Sequence, residues 1–155
     1  HGQERKHHHP ILGINGRMDT VQAAILLEIL EVFPGEVQKR EKLGLAYSEG
    51  LAHLNGLETP GIGEHNTSVY AQYTILSEQR EQIQLSLKQK EIPSVSYYTV
   101  PLHLQPVFKN LAHQVGDFLV AEKMANLCLS LPMSPYLTQE DQAKVIDAIS
   151  KIEKS

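Results

Sequence analysis

The stretch Thr67–Leu76 (TSVYAQYTIL) limits what this chain can fold into more than any other segment. It is dense in β-branched and aromatic residues, the types that suit a pleated, half-buried surface, and it reads as a strand. Two shorter extended pieces accompany it, Val95–Val100, ended by Pro101, and Leu129–Leu131. The remaining patterned segments are helical. A few short strands interleaved with helices imply a small α/β layer, a few-stranded sheet covered by helices. A sheet that small is expected to complete a site by docking against something larger rather than to enclose one.

The helical segments carry their own start and stop signals. Asp19 offers an N-cap with Gln22 three residues on, and Val21, Ala24, Ile25, Leu27 and Leu30 follow at mostly helical spacing. Pro34-Gly35 is expected to end that helix. A second helix is expected from about Glu36 to Leu54, with Val37, Leu43, Leu45, Tyr47 and Leu51 inward and Asn55-Gly56 as its stop. Glu58–Asn66 reads as a surface loop. An amphipathic helix over 79–91 carries Ile83, Leu85 and Leu87, another lies near 117–127, and the last starts with Thr138 as N-cap and Asp141 at N3. That last helix turns Val145, Ile146 and Ile149 inward. Residues 1–18, punctuated by Gly2, Pro10, Gly13, Asn15 and Gly16, read as loop.

Composition narrows the function classes. The chain has 155 residues, 41% hydrophobic and 21% charged, which supports one packed domain and excludes wholesale disorder. Net charge is −4 with no Lys/Arg cluster beyond Arg5-Lys6, so a nucleic-acid-binding face is not expected. No apolar run approaches the ~20 residues of a membrane span, and no secretory signal pattern is present. The single cysteine, Cys128 between Leu127 and Leu129, reads as a buried, inert thiol and points to a reducing, cytoplasmic setting.

Few residues carry chemistry. His7-His8-His9 lack metal-ligand spacing and read as loop histidines, so no metal site is assigned. Phosphate cradles of the GxGxxG or GxxxxGK[ST] type are absent. The loop Gly13–Asp19 presents the amide of Asn15 and the guanidinium of Arg17 just before a helix N-terminus. That suits an anion, and equally a plain turn with a solvated arginine. The segment Tyr97–Pro106 places Tyr97, Tyr98 and His103 at the end of a short strand, stiffened by two prolines. These could line a pocket for a base or sugar, or lie on an amphipathic surface; strand alternation leaves at least one tyrosine outside the core.

Three stretches, in order, resemble one family. HGQERKHHHPILGINGRMDTVQAAILL, IPSVSYYTVPLHLQPVF and LSLPMSPYLTQEDQAKV are similar to motifs of the DegT-type (DegT/StrS) nucleotide-sugar aminotransferases, and the similarity covers essentially the whole chain. The resemblance implies the small C-terminal domain of fold-type I pyridoxal-phosphate enzymes. Residues 1–18 would be a loop segment left from the large-domain side, and 19–155 the small domain with its leading helices. It implies a homodimer that transfers an amino group from glutamate to a nucleotide-linked keto sugar, with a UDP-linked 3-keto sugar of surface-polysaccharide synthesis favoured.

The cofactor implied is pyridoxal 5'-phosphate. Asn15 matches the asparagine that reaches the partner's cofactor phosphate, and Arg17 a nearby arginine. Tyr98 matches a tyrosine near the sugar, and Tyr97 stands where many relatives have histidine. His103 lies in the matched motif, and His1 matches a histidine close to the site entrance. The family's Schiff-base lysine has no counterpart among these residues, so no catalytic residue is assigned and the chain alone is expected to be inactive. The alternative is a non-catalytic small-molecule-binding or protein-interaction module derived from that domain.

Overall fold

The computed structural model describes residues 2–152. The chain divides between Gly35 and Glu36 into two compact units. In the first, the backbone up to Met18 is irregular, with one isolated antiparallel bridge between Arg5 and His8. Gly2 is required there: its φ is +77°, and a Cβ would sit 2.0 Å from the Ile11 carbonyl oxygen. Helix α1 (Thr20–Leu51) begins where its cap predicts, since the Val21 amide donates to Asp19 Oδ1 at 2.8 Å. Within this unit Val21, Ile25, Leu27 and Leu30 are exposed.

The expected break at Pro34-Gly35 does not occur; Pro34 lies inside α1. A proline removes one backbone donor, which deletes a single i→i−4 bond. Gly35 is not among the glycines at positive φ, and the residues that follow, Glu36 to Lys42, are mostly strong helix formers. Local continuity wins over the punctuation.

In the second unit, residues from Glu36 onward build one core around a three-stranded antiparallel sheet, β1 (Leu57–Glu58), β2 (Tyr73–Ser77) and β3 (Cys128–Leu131), in the order β1-β2-β3. Tyr73 pairs with Leu131 and Ile75 with Leu129, and Leu57 pairs with Ser77. Burial alternates along β2, with Tyr73, Ile75 and Ser77 inward, as a one-face sheet requires. The strand is shorter than its sequence suggests because Tyr70 takes φ +42°, which ends an extended run, and Arg40 Nη1 holds the Tyr70 carbonyl at 3.1 Å. Strand β1 lies at the start of the stretch expected to be loop.

Helices α2 (Arg80–Gln89), α3 (Leu119–Leu127) and α4 (Gln139–Ser150) complete the unit. Ile83 and Leu87 of α2, Tyr47 and Leu51 of α1, and Val145, Ala148 and Ile149 of α4 meet in the core with Tyr73, Ile75 and Leu129. Leu45 and Leu85, expected inward, are exposed. Tyr47 and Tyr73 are buried with their hydroxyls satisfied: Tyr47 donates to the Pro132 carbonyl at 3.0 Å, and Tyr73 lies 2.8 Å from Ser48 Oγ. Burial pushes both phenols above their ordinary range.

Two helix ends show how local chemistry fixes boundaries. Thr138 Oγ1 accepts the Asp141 amide at 3.1 Å and donates to Asp141 Oδ2 at 2.7 Å, as its spacing predicts. At the end of α2 the Ile92 amide returns to the Leu87 carbonyl and the Glu91 amide to that of Lys88, with Glu91 at φ +57°. This is a Schellman cap with a glutamate in the glycine position. Among the described residues, no helix is long and apolar enough to cross a membrane.

Candidate functional site

The second motif of the sequence folds into one wall of a concavity of about 780 Å³ in the second unit. The expected strand Val95–Val100 contributes a single bridge: Val95 pairs with Ser130 on the outer edge of β3, with N–O distances of 3.1 and 2.8 Å. The pairing does not extend beyond Val95, and the extended run ends at Tyr98. Its φ is +56°, which breaks the two-residue alternation. As a result Tyr97 and Tyr98 are both presented outward, 41% and 84% exposed, with ring centroids 6.3 Å apart. A left-handed backbone at a bulky aromatic is costly and is found where surroundings impose it, often at functional sites.

From Val100 the chain turns through two 3₁₀ segments, Leu102–Leu104 and Pro106–Leu111. Gln105 Nε2 donates back to the Val100 carbonyl at 3.0 Å, which closes the first turn. Val100, Leu102, Phe108 and Leu111 line the concavity from this side, and Met124, Ala125 and Cys128 line it from α3 and β3. Cys128, expected to be buried, is half-buried at this wall, and its thiol donates to the Tyr97 carbonyl at 3.3 Å.

His103 is turned inward, its side chain 8% exposed, with Nε2 3.1 Å from Glu122 Oε1. The same carboxylate accepts the Gly116 amide at 2.9 Å and the Phe118 amide at 3.2 Å. These backbone donors, Gly116 foremost, and the His103 hydrogen bond hold the Glu122 carboxyl below the usual carboxylate range. Alongside it, Asp117 accepts the Gln114 amide at 2.9 Å and faces His113 Nδ1 at 3.2 Å, and its carboxyl is likewise lowered, chiefly by the Gln114 amide. The Phe118 ring packs between the two imidazoles, with centroids 4.7 Å from His103 and 5.0 Å from His113.

Tyr97, Tyr98 and His103 are thus brought to one place. Asn15 and Arg17 lie in the first unit, both exposed, in a turn where the Arg17 amide donates to the Asn15 carbonyl at 3.1 Å. His1 lies outside the described residues. Sequence reasoning missed Glu122, Asp117, His113 and Phe118. Gly116, at φ +99°, was the available signal, because a glycine two residues before a helix cap marks a loop that needs anchoring. Among the described residues, no group of three His, Cys, Asp or Glu side chains could hold a metal ion.

Comparison with known proteins gives a consistent result. The model of the DegT/DnrJ/EryC1/StrS aminotransferase family matches residues 1–150. The chain is 44% identical over 137 residues to the UDP-2-acetamido-2-deoxy-3-oxo-D-glucuronate aminotransferase of Pseudomonas aeruginosa, covering 88% of this chain and 37% of that protein. It is 38% identical to a pleiotropic regulatory protein of Geobacillus stearothermophilus, covering 97% of this chain and 41% of that one. A crystal structure of a DegT DnrJ EryC1 StrS aminotransferase from Brucella abortus matches with a TM-score of 0.89 and 38% identity, over 99% of this chain and 41% of that chain. The chain therefore spans about two fifths of the length of the relatives it matches, in their C-terminal portion.

Proposed function

Because this chain belongs to the DegT/DnrJ/EryC1/StrS aminotransferase family, we propose that it is the C-terminal part of a pyridoxal-phosphate-dependent enzyme. That enzyme transfers an amino group from glutamate to a UDP-linked keto sugar, a 3-keto sugar by preference, as a cytoplasmic homodimer in surface-polysaccharide synthesis. The relation to a protein named for a UDP-linked 3-oxo sugar carries this reading. The concavity supports it from the substrate side: two outward phenols at the rim offer a stacking face and hydrogen-bonding tips. We assign Tyr97, Tyr98 and His103, with His1, to the sugar-nucleotide end.

Pyridoxal phosphate supplies an electron sink for exchange of the amino group, and it needs a lysine amine and donors for its phosphate. No lysine or arginine is among the residues lining the concavity, so that concavity does not fit the cofactor. Its phosphate is better suited to the Asn15 amide and the Arg17 guanidinium, a planar fork for an anion. These residues bind and orient; nothing in this chain is assigned the proton transfers.

A second reading is a non-catalytic binding or interaction module. The lysine-free concavity favours it, as does the relation to a protein named as a regulator. Expression of the complete coding sequence separates the two. The enzyme reading expects a yellow protein that consumes glutamate only with a UDP-linked 3-keto sugar, and Arg17→Ala should weaken cofactor or substrate binding by roughly tenfold or more, the scale of a charge-assisted contact. A colourless, inactive full-length product refutes the enzyme reading.

A further inference from the structure

Between Tyr97 and Leu111 the backbone hydrogen bonds are local, each closing over three residues: Leu104 to Pro101, Gln105 to Leu102 and Phe108 to Gln105. Such bonds shape turns but do not fix the segment to the rest of the unit. Among the described residues, two side-chain bonds leave the segment for the α3–β3 stretch. One is the Cys128 thiol to the Tyr97 carbonyl, a weak donor at 3.3 Å. The other is His103 to Glu122 at 3.1 Å.

Glu122 gathers more than His103. It sits on α3, and its two oxygens also take the amides of Gly116 and Phe118, so one carboxylate joins the 3₁₀ turn, the 113–118 loop and the helix. The Phe118 ring, placed by that amide bond, then packs on the His103 ring at 4.7 Å. His103, His113 and Phe118 all line the concavity, whereas Glu122 is not among its lining residues. Its side chain is 14% exposed and lies behind the wall rather than in it. We propose that Glu122 is the positioning residue of this site: its carboxylate fixes the His103 ring and the 113–118 loop against α3 and so gives the concavity its wall. That the wall serves a nucleotide-linked sugar rests on the reading above; that Glu122 builds the wall does not.

A carboxylate is needed because every partner is a donor. An ionised carboxylate accepts on both oxygens, whereas an amide of the same shape offers one oxygen and turns a donor toward donors. Glu122→Gln should therefore keep part of the arrangement, and Glu122→Ala none of it. Amide hydrogen exchange by NMR reads this directly. In Glu122→Ala the Gly116 and Phe118 amides should exchange on the order of tenfold faster or more, as loss of a charge-assisted bond requires. In Glu122→Gln the change should be intermediate, while the Ser130 amide, bonded to Val95, keeps its protection and reports an intact fold. Equal protection of Gly116 and Phe118 in wild type and both variants overturns the proposal.

If Glu122→Ala does not fold, an acid titration of the wild-type protein decides the point. The Gly116 amide proton resonance should move together with that of Phe118 as the shared carboxylate takes up a proton, and independent movement overturns it. Titration with UDP-N-acetylglucosamine, read at the Tyr98 and His103 resonances, tests what the wall is for. Binding by wild type that weakens tenfold or more in Glu122→Ala, with partial recovery in Glu122→Gln, supports the positioning role, and undiminished binding in Glu122→Ala overturns it. Failure of the wild-type protein to bind refutes the sugar-nucleotide reading and leaves the exchange result to decide Glu122.

Discussion

Gly44 faces the ring of Tyr70, and replacing it sets two opposing effects against each other. In an α-helix, alanine is favoured over glycine by about 1 kcal/mol, so Gly44→Ala in α1 would be stabilising on propensity alone. The tertiary structure opposes this. A Cβ at position 44 would lie 2.3 Å from Tyr70 Cδ2 and Cε2 and 2.7 Å from Cζ. Carbon atoms need about 3.5 Å, so the ring must retreat by about 1.2 Å. It has little room to do so, being 6% exposed and packed on Tyr73 at 5.5 Å, with its carbonyl held by Arg40. Overpacking of this kind costs about 1–3 kcal/mol, and with the backbone pinned the upper end applies.

The expected net loss is about 2 kcal/mol, or a fall in Tm of about 4–8 °C for a chain of this size. Thermal melts and urea titrations of wild type, Gly44→Ala, Tyr70→Ala and the double variant complete a thermodynamic cycle. With the ring removed, Gly44→Ala should become favourable by about 1 kcal/mol, giving a coupling of about 3 kcal/mol between the sites. A Gly44→Ala protein as stable as wild type, or more so, would refute the reasoning.

Three further outcomes follow from local geometry. Glu91→Gly relieves a non-glycine residue in the left-handed region at the end of α2 and should stabilise the protein by about 1 kcal/mol in urea unfolding. Thr138→Ala removes the acceptor for the Asp141 amide and should lower stability by about 1 kcal/mol, the usual worth of an N-cap. Asp117, Glu122 and Asp141 all have carboxyls lowered in the folded chain by hydrogen bonds to their ionised forms, from the Gln114 amide, the Gly116 amide and the Thr138 hydroxyl respectively. Groups of this kind add stability that is complete above the ordinary carboxylate range and is lost as pH falls through their depressed values. Urea midpoints should therefore fall steadily below about pH 4. Asp117→Asn with Asp141→Asn should flatten that fall, and an unchanged acid limb in the double variant would count against the assigned hydrogen bonds.

What the sequence determined by itself were the features written within one helical turn or one strand. The Asp19 and Thr138 caps and the inward positions Ile83, Leu87, Val145 and Ile149 all depend on neighbours a few positions away. The three ordered motifs likewise carry the resemblance to the family. Tertiary structure decided the places where distant residues override local preference. Arg40, thirty positions away, holds the Tyr70 carbonyl at the point where the expected strand is cut short. A left-handed Tyr98 turns a strand end into a rim with two outward phenols. Glu122 captures a loop and a histidine that no spacing rule connects to it. Left-handed backbone at an aromatic residue is disfavoured locally, and a carboxylate has no intrinsic preference among donors. Both are settled only when the whole core is assembled around them, so the wall of the site could not be read from the order of the residues.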